Sequence, residues 1–130
     1  MYRIQVTTHY EQIWRYNTVI SCGGYNTLQE PLYVAGCERI TSEELQSGPT
    51  YELTPPPNFD PSLPLILECD SADNIHAIIY VIAHTLPLDR SIEESPPFPI
   101  MIQIFRDDKE VYAQQHEVNQ WGGATVNIKI

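Results

Sequence analysis

Basic residues are scarce in this chain. Seven Lys and Arg residues stand against 17 Asp and Glu residues in 130 positions, which gives a formal net charge of −10 at pH 7 with neutral histidines. Nucleic-acid binding depends on basic side chains that displace the counterions of the phosphate backbone, and an acidic protein repels that backbone. We therefore expect no nucleic-acid partner.

Long apolar runs are also missing. The longest, Ile75 to Ala83, is interrupted by His76 and is shorter than the roughly 20 apolar residues that a membrane-spanning helix requires. The segment Met1 to His9 lacks the apolar run of a secretory signal. With 42% hydrophobic and 18% charged residues, the sequence predicts one soluble domain over residues 1–130, without a membrane span.

Cysteine is sparse and its number is odd. Cys22, Cys37 and Cys69 are widely spaced and form no Cys-x-x-Cys pair of the kind found in zinc and redox sites. This pattern predicts reduced thiols that pack like small apolar side chains, and it favours a reducing, cytoplasmic location. A mature exported or virion protein would show the same pattern.

Segments able to form long helices are few. The chain has eleven prolines and six glycines. Prolines cluster at 55–64 and 96–99, and short β-rich runs recur between the prolines. Ile100, Ile102 and Ile104 alternate with other residues, as expected of a strand with one face in the core. The sequence therefore predicts an all-β fold, an antiparallel β-sandwich of about eight strands that is jelly-roll-like or C2-like in outline. The predicted strands are 4–8, 13–21, 32–35, 51–53, 65–68, 75–84, 100–105, 111–115 and 125–130.

Several local features refine this prediction. Asp107 and Asp108 between two alternating runs predict a hairpin over Ile100 to Gln115. The run Ile75 to His84 is apolar on both faces, which predicts a central strand covered on both sides. The capping-box spacing of Thr41 and Glu44 predicts a helix of one or two turns. The long loop from Pro55 to Pro64 is a candidate for a functional role.

No catalytic arrangement is recognisable. In Ser21-Cys22-Gly23-Gly24 a nucleophile precedes glycines, but no helix follows, so the segment lacks a nucleophile elbow and we interpret it as a strand ending in a glycine turn. The paired glycines at 122 and 123 lack the lysine and helix of a phosphate loop. His76 and His84 would lie roughly 26 Å apart on one strand, too far to share an ion. We predict that the protein is not an enzyme.

Aromatic residues beside amides suggest ligand binding. Sugar sites combine an aromatic plate with amide hydrogen-bonding groups, and Trp121 follows Asn119 and Gln120 in a polar loop. Tyr25 and Asn26 would join them in one site. Trp14, Tyr16 and Thr18 would share one strand face, which we interpret as core. The alternative function that these patterns predict is a carbohydrate-binding, lectin-like module.

Acidic residues gather in the predicted loops. Calcium takes six to eight oxygen ligands, and Asp70, Asp73 and Asn74 are the best candidates to supply them. Asp89, Glu93 and Glu94 form a second acidic group, and solvated loops that keep an acidic protein soluble are the favoured interpretation of both groups. We expect no obligatory cofactor, with calcium as the open alternative.

Protein association is the function that the sequence favours most. A small sandwich must protect or pair its edge strands, and the run Thr125 to Ile130 carries one charged residue, Lys129. We predict a non-catalytic binding or assembly module, acting through a protein partner or by self-association as a homo-oligomer or part of a larger complex. A glycan is the alternative ligand.

Overall fold

Eight strands and one short 3₁₀ helix make up the regular structure of the residues that the computed structural model describes, which are 1–41, 55–85 and 95–130. In chain order they are β1 (Tyr2–Thr7), the 3₁₀ helix (Ile13–Arg15), β2 (Tyr16–Tyr25), β3 (Pro31–Arg39), β4 (Leu65–Cys69), β5 (Asn74–Ala83), β6 (Phe98–Arg106), β7 (Lys109–Val118) and β8 (Ala124–Lys129). These ranges contain no helix long and apolar enough to cross a membrane.

The strands form two antiparallel sheets of four strands each. The first sheet has the order β4-β1-β6-β7 and the second has the order β3-β2-β5-β8. Buried side chains of both sheets pack into one apolar core. The predicted all-β sandwich of eight strands is confirmed.

Two connections stay within a sheet, whereas the others cross between sheets. The predicted β6–β7 hairpin is confirmed, with Arg106 opposite Lys109. Asp107 and Asp108 form its turn at φ values of 49° and 67°, the left-handed conformations that a tight two-residue hairpin turn requires. The second hairpin joins β2 to β3 through Asn26, whose side-chain oxygen accepts from the backbone N–H groups of Leu28 and Glu30.

The alternating isoleucines of β6 lie in the core as predicted. Ile100, Ile102 and Ile104 are at most 1% exposed, and they face the second sheet because alternate side chains of a strand share one side. Burying such a side chain contributes about 1.5–3 kcal/mol, so this row is a major source of the stability of the sandwich.

β5 is central, as predicted, but only one of its faces is covered. The strand lies between β2 and β8, and Ile75, Ala77, Ile79 and Val81 are buried. On the opposite face Ile82 is 51% exposed, because the sandwich has two layers and nothing in the described parts of the chain lies over this side. The prediction of cover on both sides was therefore wrong.

β2 also differs from the prediction at both ends. Trp14 belongs to the 3₁₀ helix and precedes the strand, so it does not share a strand face with Tyr16, although it is buried as expected. At the other end, Cys22-Gly23-Gly24 continues the strand instead of ending it in a glycine turn. Gly24 permits this because the ring of Tyr33 from β3 packs directly on its backbone.

Some predicted features lie outside the described residues. These are most of the helix that begins at Thr41, the strand at 51–53 and the acidic group formed by Asp89, Glu93 and Glu94.

One side of the sandwich is closed by hydrogen bonds between edge strands of the two sheets. The hydroxyl of Tyr33 in β3 donates to the carbonyl of Asp70 at 2.8 Å, beside the end of β4. The guanidinium of Arg39 donates to the carbonyls of Leu63 and Pro64 at 3.2 and 3.3 Å. On the opposite side, β7 and β8 are edges that each pair with one strand in the described part of the fold. We call this the open side.

Candidate functional site

The loop that contains Asn119, Gln120 and Trp121 joins β7 to β8 at the end of the sandwich where β2 begins, which we call the Tyr16 end. The side-chain oxygen of Asn119 accepts hydrogen bonds from the backbone N–H groups of Trp121 and Gly122, both at 2.9 Å. Asn119 and Gly123 also exchange both backbone hydrogen bonds. The side-chain oxygen of Asn119 therefore holds the loop in shape.

Gln120 ties this loop to the body of the sandwich. Its side-chain nitrogen donates to the carbonyl of Pro96 at 2.6 Å, and its side-chain oxygen accepts from the hydroxyl of Tyr10 at 3.3 Å. Its backbone carbonyl accepts from the hydroxyl of Tyr16 at 2.8 Å. Of the three predicted sugar-binding residues in this loop, Trp121 alone retains a partly exposed side chain without such a structural contact. Its indole N–H has no hydrogen-bond partner in the described regions.

Tyr25 and Asn26 lie at the other end of the sandwich, which we call the Tyr25 end. β2 runs over ten residues from Tyr16 to Tyr25, and at about 3.3 Å per residue the two ends are roughly 30 Å apart. The expectation that Tyr25 and Asn26 join Trp121 in one site is thus corrected, because an extended strand separates them. Tyr25 instead lines a cleft of about 340 Å³ together with Asn74, His76 and Lys129.

The calcium candidates are also at the Tyr25 end. The backbone N–H of Asp73 donates to the carbonyl of Tyr25 at 2.9 Å, and the side-chain nitrogen of Asn74 donates to the carbonyl of Asn26 at 3.4 Å. The carbonyl of Asp70 accepts from Tyr33. Across residues 1–41, 55–85 and 95–130, no three His, Cys, Asp or Glu side chains converge as a metal site would require.

The loop from Pro55 to Pro64 lines a second cleft. Its volume is about 400 Å³, and Arg39 and Thr41 contribute to its wall beside Phe59 and Asp60. The carboxylate of Asp60 accepts from both the backbone and the hydroxyl of Ser62, which lowers the pKa of this exposed side chain. These contacts shape the loop.

Sequence reasoning missed a buried arginine at the Tyr16 end. Arg15 is 1% exposed, and its three guanidinium nitrogens have no hydrogen-bond acceptor among the described residues. Its Cζ lies 5.0 Å from the centre of the Trp14 ring, which supplies a cation–π contact. Burial lowers the pKa of Arg15. No sequence signal marks this site, because Arg15 sits in an alternating run that resembles an exposed strand position.

Hydrogen bonds from distant residues hold Arg15 in this position. The hydroxyl of Thr41 contacts the carbonyls of Trp14 and Tyr16 and lies 2.8 Å from Nε2 of His84. The backbone N–H of His84 donates to the carbonyl of Arg15 at 3.0 Å. Burial lowers the pKa of His84, and the nearby charge of Arg15 lowers it further, so His84 favours the neutral form.

The backbone groups of β8 that face the open side have no hydrogen-bond partner among residues 1–41, 55–85 and 95–130. Ile75 and Ile130 exchange both of their backbone hydrogen bonds, at 3.1 and 3.0 Å. Such pairs alternate along an antiparallel ladder, so Val126 and Ile128 also direct their N–H and C=O groups toward β5. The N–H and C=O groups of Thr125, Asn127 and Lys129 therefore point away from the sheet, as the sequence prediction of an unprotected edge requires.

The outer face of the second sheet adjoins this edge and is largely apolar. Val34 is 82% exposed, Leu32 is 53% exposed and Ile82 is 51% exposed. The charged strand residues on this face are Glu38 and Lys129, as the strand register shows. We call it the apolar outer face. Its members on β2, β3, β5 and β8 are Asn17, Val19, Ser21, Gly23, Tyr25, Leu32, Val34, Gly36, Glu38, Asn74, His76, Ile78, Tyr80, Ile82, Thr125, Asn127 and Lys129.

The outer face of the first sheet is polar by comparison. Gln103 donates to Glu110 at 3.1 Å and receives a hydrogen bond from Gln5. Arg3 lies over the ring of Phe105, 4.5 Å from its centre. Ile66 and Val111 are 41% and 38% exposed on strands of the first sheet, whereas the three most exposed apolar strand residues, Val34, Leu32 and Ile82, belong to the second sheet. We therefore consider the second sheet first, because large exposed apolar surfaces mark interaction sites.

Comparison with known proteins assigns neither a family nor a function to this chain. No family model and no curated protein matches this chain. The chain is similar to a DUF4425 family protein from Bacteroides ovatus ATCC 8483, known from a crystal structure, with 14% identity over 99% of this chain and 90% of that one and a TM-score of 0.44. At this level of similarity, the match says nothing about what the chain binds.

Proposed function

We propose that this protein is a non-catalytic assembly module that associates with a second copy of itself through the β8 edge. The observation that carries the proposal is the row of outward-facing backbone groups at Thr125, Asn127 and Lys129 on the open side. A strand edge with free N–H and C=O groups pairs readily with another strand. Lys129, at the last position of β8, is the one charged residue of the strand, so the edge carries a single charge against pairing.

The sequence of β8 is complementary to itself in the antiparallel direction. A two-fold axis at Asn127 places Asn127 of one copy opposite Asn127 of the other. The same register sets Val126 opposite Ile128 on the core side and Thr125 opposite Lys129 on the outer side. No like charges meet in this register, and such cross-strand pairs each contribute about 0.2–1 kcal/mol. The second sheets of two copies then continue as one sheet of eight strands.

Charge indicates where two copies can approach each other most closely. Two chains that each carry a net charge of −10 repel one another over most of their surfaces. The β8 edge and the apolar outer face together carry Glu38 and Lys129 as their charged strand residues, so close approach there costs the least electrostatic free energy. The apolar outer faces would lie side by side in the continued sheet.

Light scattering over a concentration series tests the proposal. We expect the molar mass of the wild-type protein to reach at least twice that of the monomer. Asn127→Pro removes an N–H that points to the open side and leaves the ladder to β5 intact, so this variant should remain a monomer. Asn127→Ala keeps the N–H and should associate like the wild type.

A second variant tests the same contact without the effect that proline could have on folding. Asn127→Lys places two ammonium groups opposite each other at the two-fold axis and should weaken association at least tenfold. Circular dichroism and urea unfolding establish that each variant is folded. A wild-type protein that stays monomeric at millimolar concentration, or a folded Asn127→Pro variant that associates normally, would refute the proposal.

The apolar outer face has its own test. Val34→Asp introduces a carboxylate at the most exposed apolar position of this face, and Val111→Asp places the same change on the outer face of the first sheet. If copies also contact one another through the apolar outer face, Val34→Asp lowers the mass of the assembly whereas Val111→Asp does not. If the assemblies of the two variants have equal molar mass, the copies associate through the β8 edge alone.

Carbohydrate binding is the second candidate function, and the partly exposed side chain of Trp121 supports it. A glycan array compares the wild type with Trp121→Ala and Trp121→Phe. Binding that is lost in the alanine variant and kept in the phenylalanine variant would establish a stacking site. The absence of any bound glycan would remove this alternative.

A further inference from the structure

Two buried cysteines from different sheets lie near one another on the closed side of the sandwich. Cys22 belongs to β2 of the second sheet and is 0% exposed, whereas Cys69 ends β4 of the first sheet and is 4% exposed. Both side chains are members of the apolar core. Both thiols are free.

Tyr33 shows how closely the two strands approach. Its ring packs on the backbone of Gly24, two residues beyond Cys22, so that a Cβ at position 24 would lie 2.3 Å from the ring. Its hydroxyl donates to the carbonyl of Asp70, the residue after Cys69. One side chain therefore connects the strand of Cys22 to the strand of Cys69 across the space between the sheets.

The two thiols are also close enough to perturb each other's ionisation. The neighbouring thiol of Cys69 lowers the pKa of Cys22, while the same pairing and burial raise the pKa of Cys69. Cys22 is thus the more readily ionised member, and a thiolate is the form of cysteine that reacts. Cys37 is engaged elsewhere, since its Sγ donates to the carbonyl of Ile66 at 3.6 Å, and burial raises its pKa.

We propose that Cys22 and Cys69 are a redox-responsive pair that a peroxide converts into a disulfide between the two sheets. The thiolate of Cys22 attacks one peroxide oxygen, breaks the O–O bond and becomes a sulfenic acid, and the second oxygen leaves as hydroxide and takes up a proton to form water. The sulfur of Cys69 then attacks the sulfur of Cys22, the S–S bond forms, and the sulfenic oxygen leaves as water with the proton of Cys69. Peroxide accepts the two electrons.

The disulfide would act as a covalent clamp on the closed side. It joins residues far apart in the sequence and so restricts the unfolded chain more than the folded one. The hydrogen bonds of Tyr33 and Arg39 already hold β3 and β4 together there. The open side and the β8 edge lie on the opposite side of the sandwich, so this inference is independent of the proposed assembly.

Peptide mapping of the peroxide-treated native protein tests the proposal. Purified reduced protein is exposed to hydrogen peroxide, the remaining thiols are blocked, and the digest is analysed by mass spectrometry without reduction. We expect one peptide pair linked through Cys22 and Cys69, a mass loss of two hydrogens per chain, and a higher urea midpoint that dithiothreitol reverses. Cys22→Ser and Cys69→Ser should each abolish the link and the gain in stability.

Cys37→Ser is the matched control and should retain both the link and the higher urea midpoint. A disulfide that involves Cys37, a link between chains, or thiols that stay reduced while glutathione in the same solution is oxidised would each overturn the proposal. A Cys22–Cys69 link that forms only after complete unfolding in urea would also overturn it, because the reaction would then owe nothing to the folded arrangement.

Discussion

Gly123 lies so close to Val81 that a Cβ at position 123 would be 1.9 Å from the carbonyl oxygen of Val81. Its φ of +73° is in the left-handed region that favours glycine. The neighbouring Gly122 has ordinary space, since its Cβ would lie 3.7 Å from the side-chain oxygen of Asn119. Two adjacent glycines therefore have different structural requirements.

We expect Gly123→Ala to destabilise the fold by about 3 kcal/mol or more, because the backbone of β5 would have to move and the left-handed conformation would be strained. Gly122→Ala should change the free energy of unfolding by less than about 1 kcal/mol. Urea unfolding followed by tryptophan fluorescence measures both. Equal losses in the two variants would contradict the assigned role of Gly123.

The strands of this fold could be predicted because the residue pattern is local. Ile100, Ile102 and Ile104 alternate with half-exposed residues, and one buried face is enough to produce that pattern. Residues 13–15 escaped prediction because what decides their conformation is distant in the sequence. The hydroxyl of Thr41 donates to the carbonyl of Trp14, and the backbone N–H of His84 donates to the carbonyl of Arg15. These hydrogen bonds stabilise a 3₁₀ turn where the alternation indicated a strand.

The candidate sites were less predictable for a related reason. Trp121 and Tyr25 lie at opposite ends because β2 and β8 have a particular place in the second sheet, and no residue pattern specifies that order. The exposed edge of β8 was predictable from its low charge. The outward direction of its hydrogen-bonding groups depends on the register with β5, which the Ile75–Ile130 pair reveals.

Gln120 should be important for stability. Its side chain connects Pro96 and Tyr10 across the Tyr16 end, and both contacts are lost in Gln120→Ala. We expect a loss of about 1–2 kcal/mol in the free energy of unfolding, since the polar groups of its partners would be left without their hydrogen bonds. Gln115→Ala, on the exposed outer side of β7, is the control and should be close to neutral. An unchanged free energy of unfolding in Gln120→Ala would show that these two hydrogen bonds do not contribute to stability.

Replacement of Arg15 should have the opposite effect. A buried guanidinium without an acceptor costs desolvation free energy, and an apolar side chain of similar length avoids that cost. We expect Arg15→Met to raise the free energy of unfolding by about 1 kcal/mol or more. Arg39→Met should lower it, because Arg39 donates to two carbonyls. Destabilisation by Arg15→Met would mean that the contact of the guanidinium with the Trp14 ring outweighs the desolvation cost.

His84 should make the stability of the fold depend on pH. Burial depresses its pKa below the ordinary value of about 6.5, so the unfolded chain binds a proton more readily than the folded one. The stability that neutral His84 contributes is then fully present above about pH 6.5 and is lost as the pH falls through the folded-state pKa. His84→Gln has no titrating group, and the difference in urea midpoint between wild type and variant should shrink from pH 7.5 to pH 5. A difference that grows toward acid pH would mean that the fold stabilises the protonated imidazole, and a constant difference would mean that folding leaves the pKa of His84 unchanged. Either result would contradict the prediction.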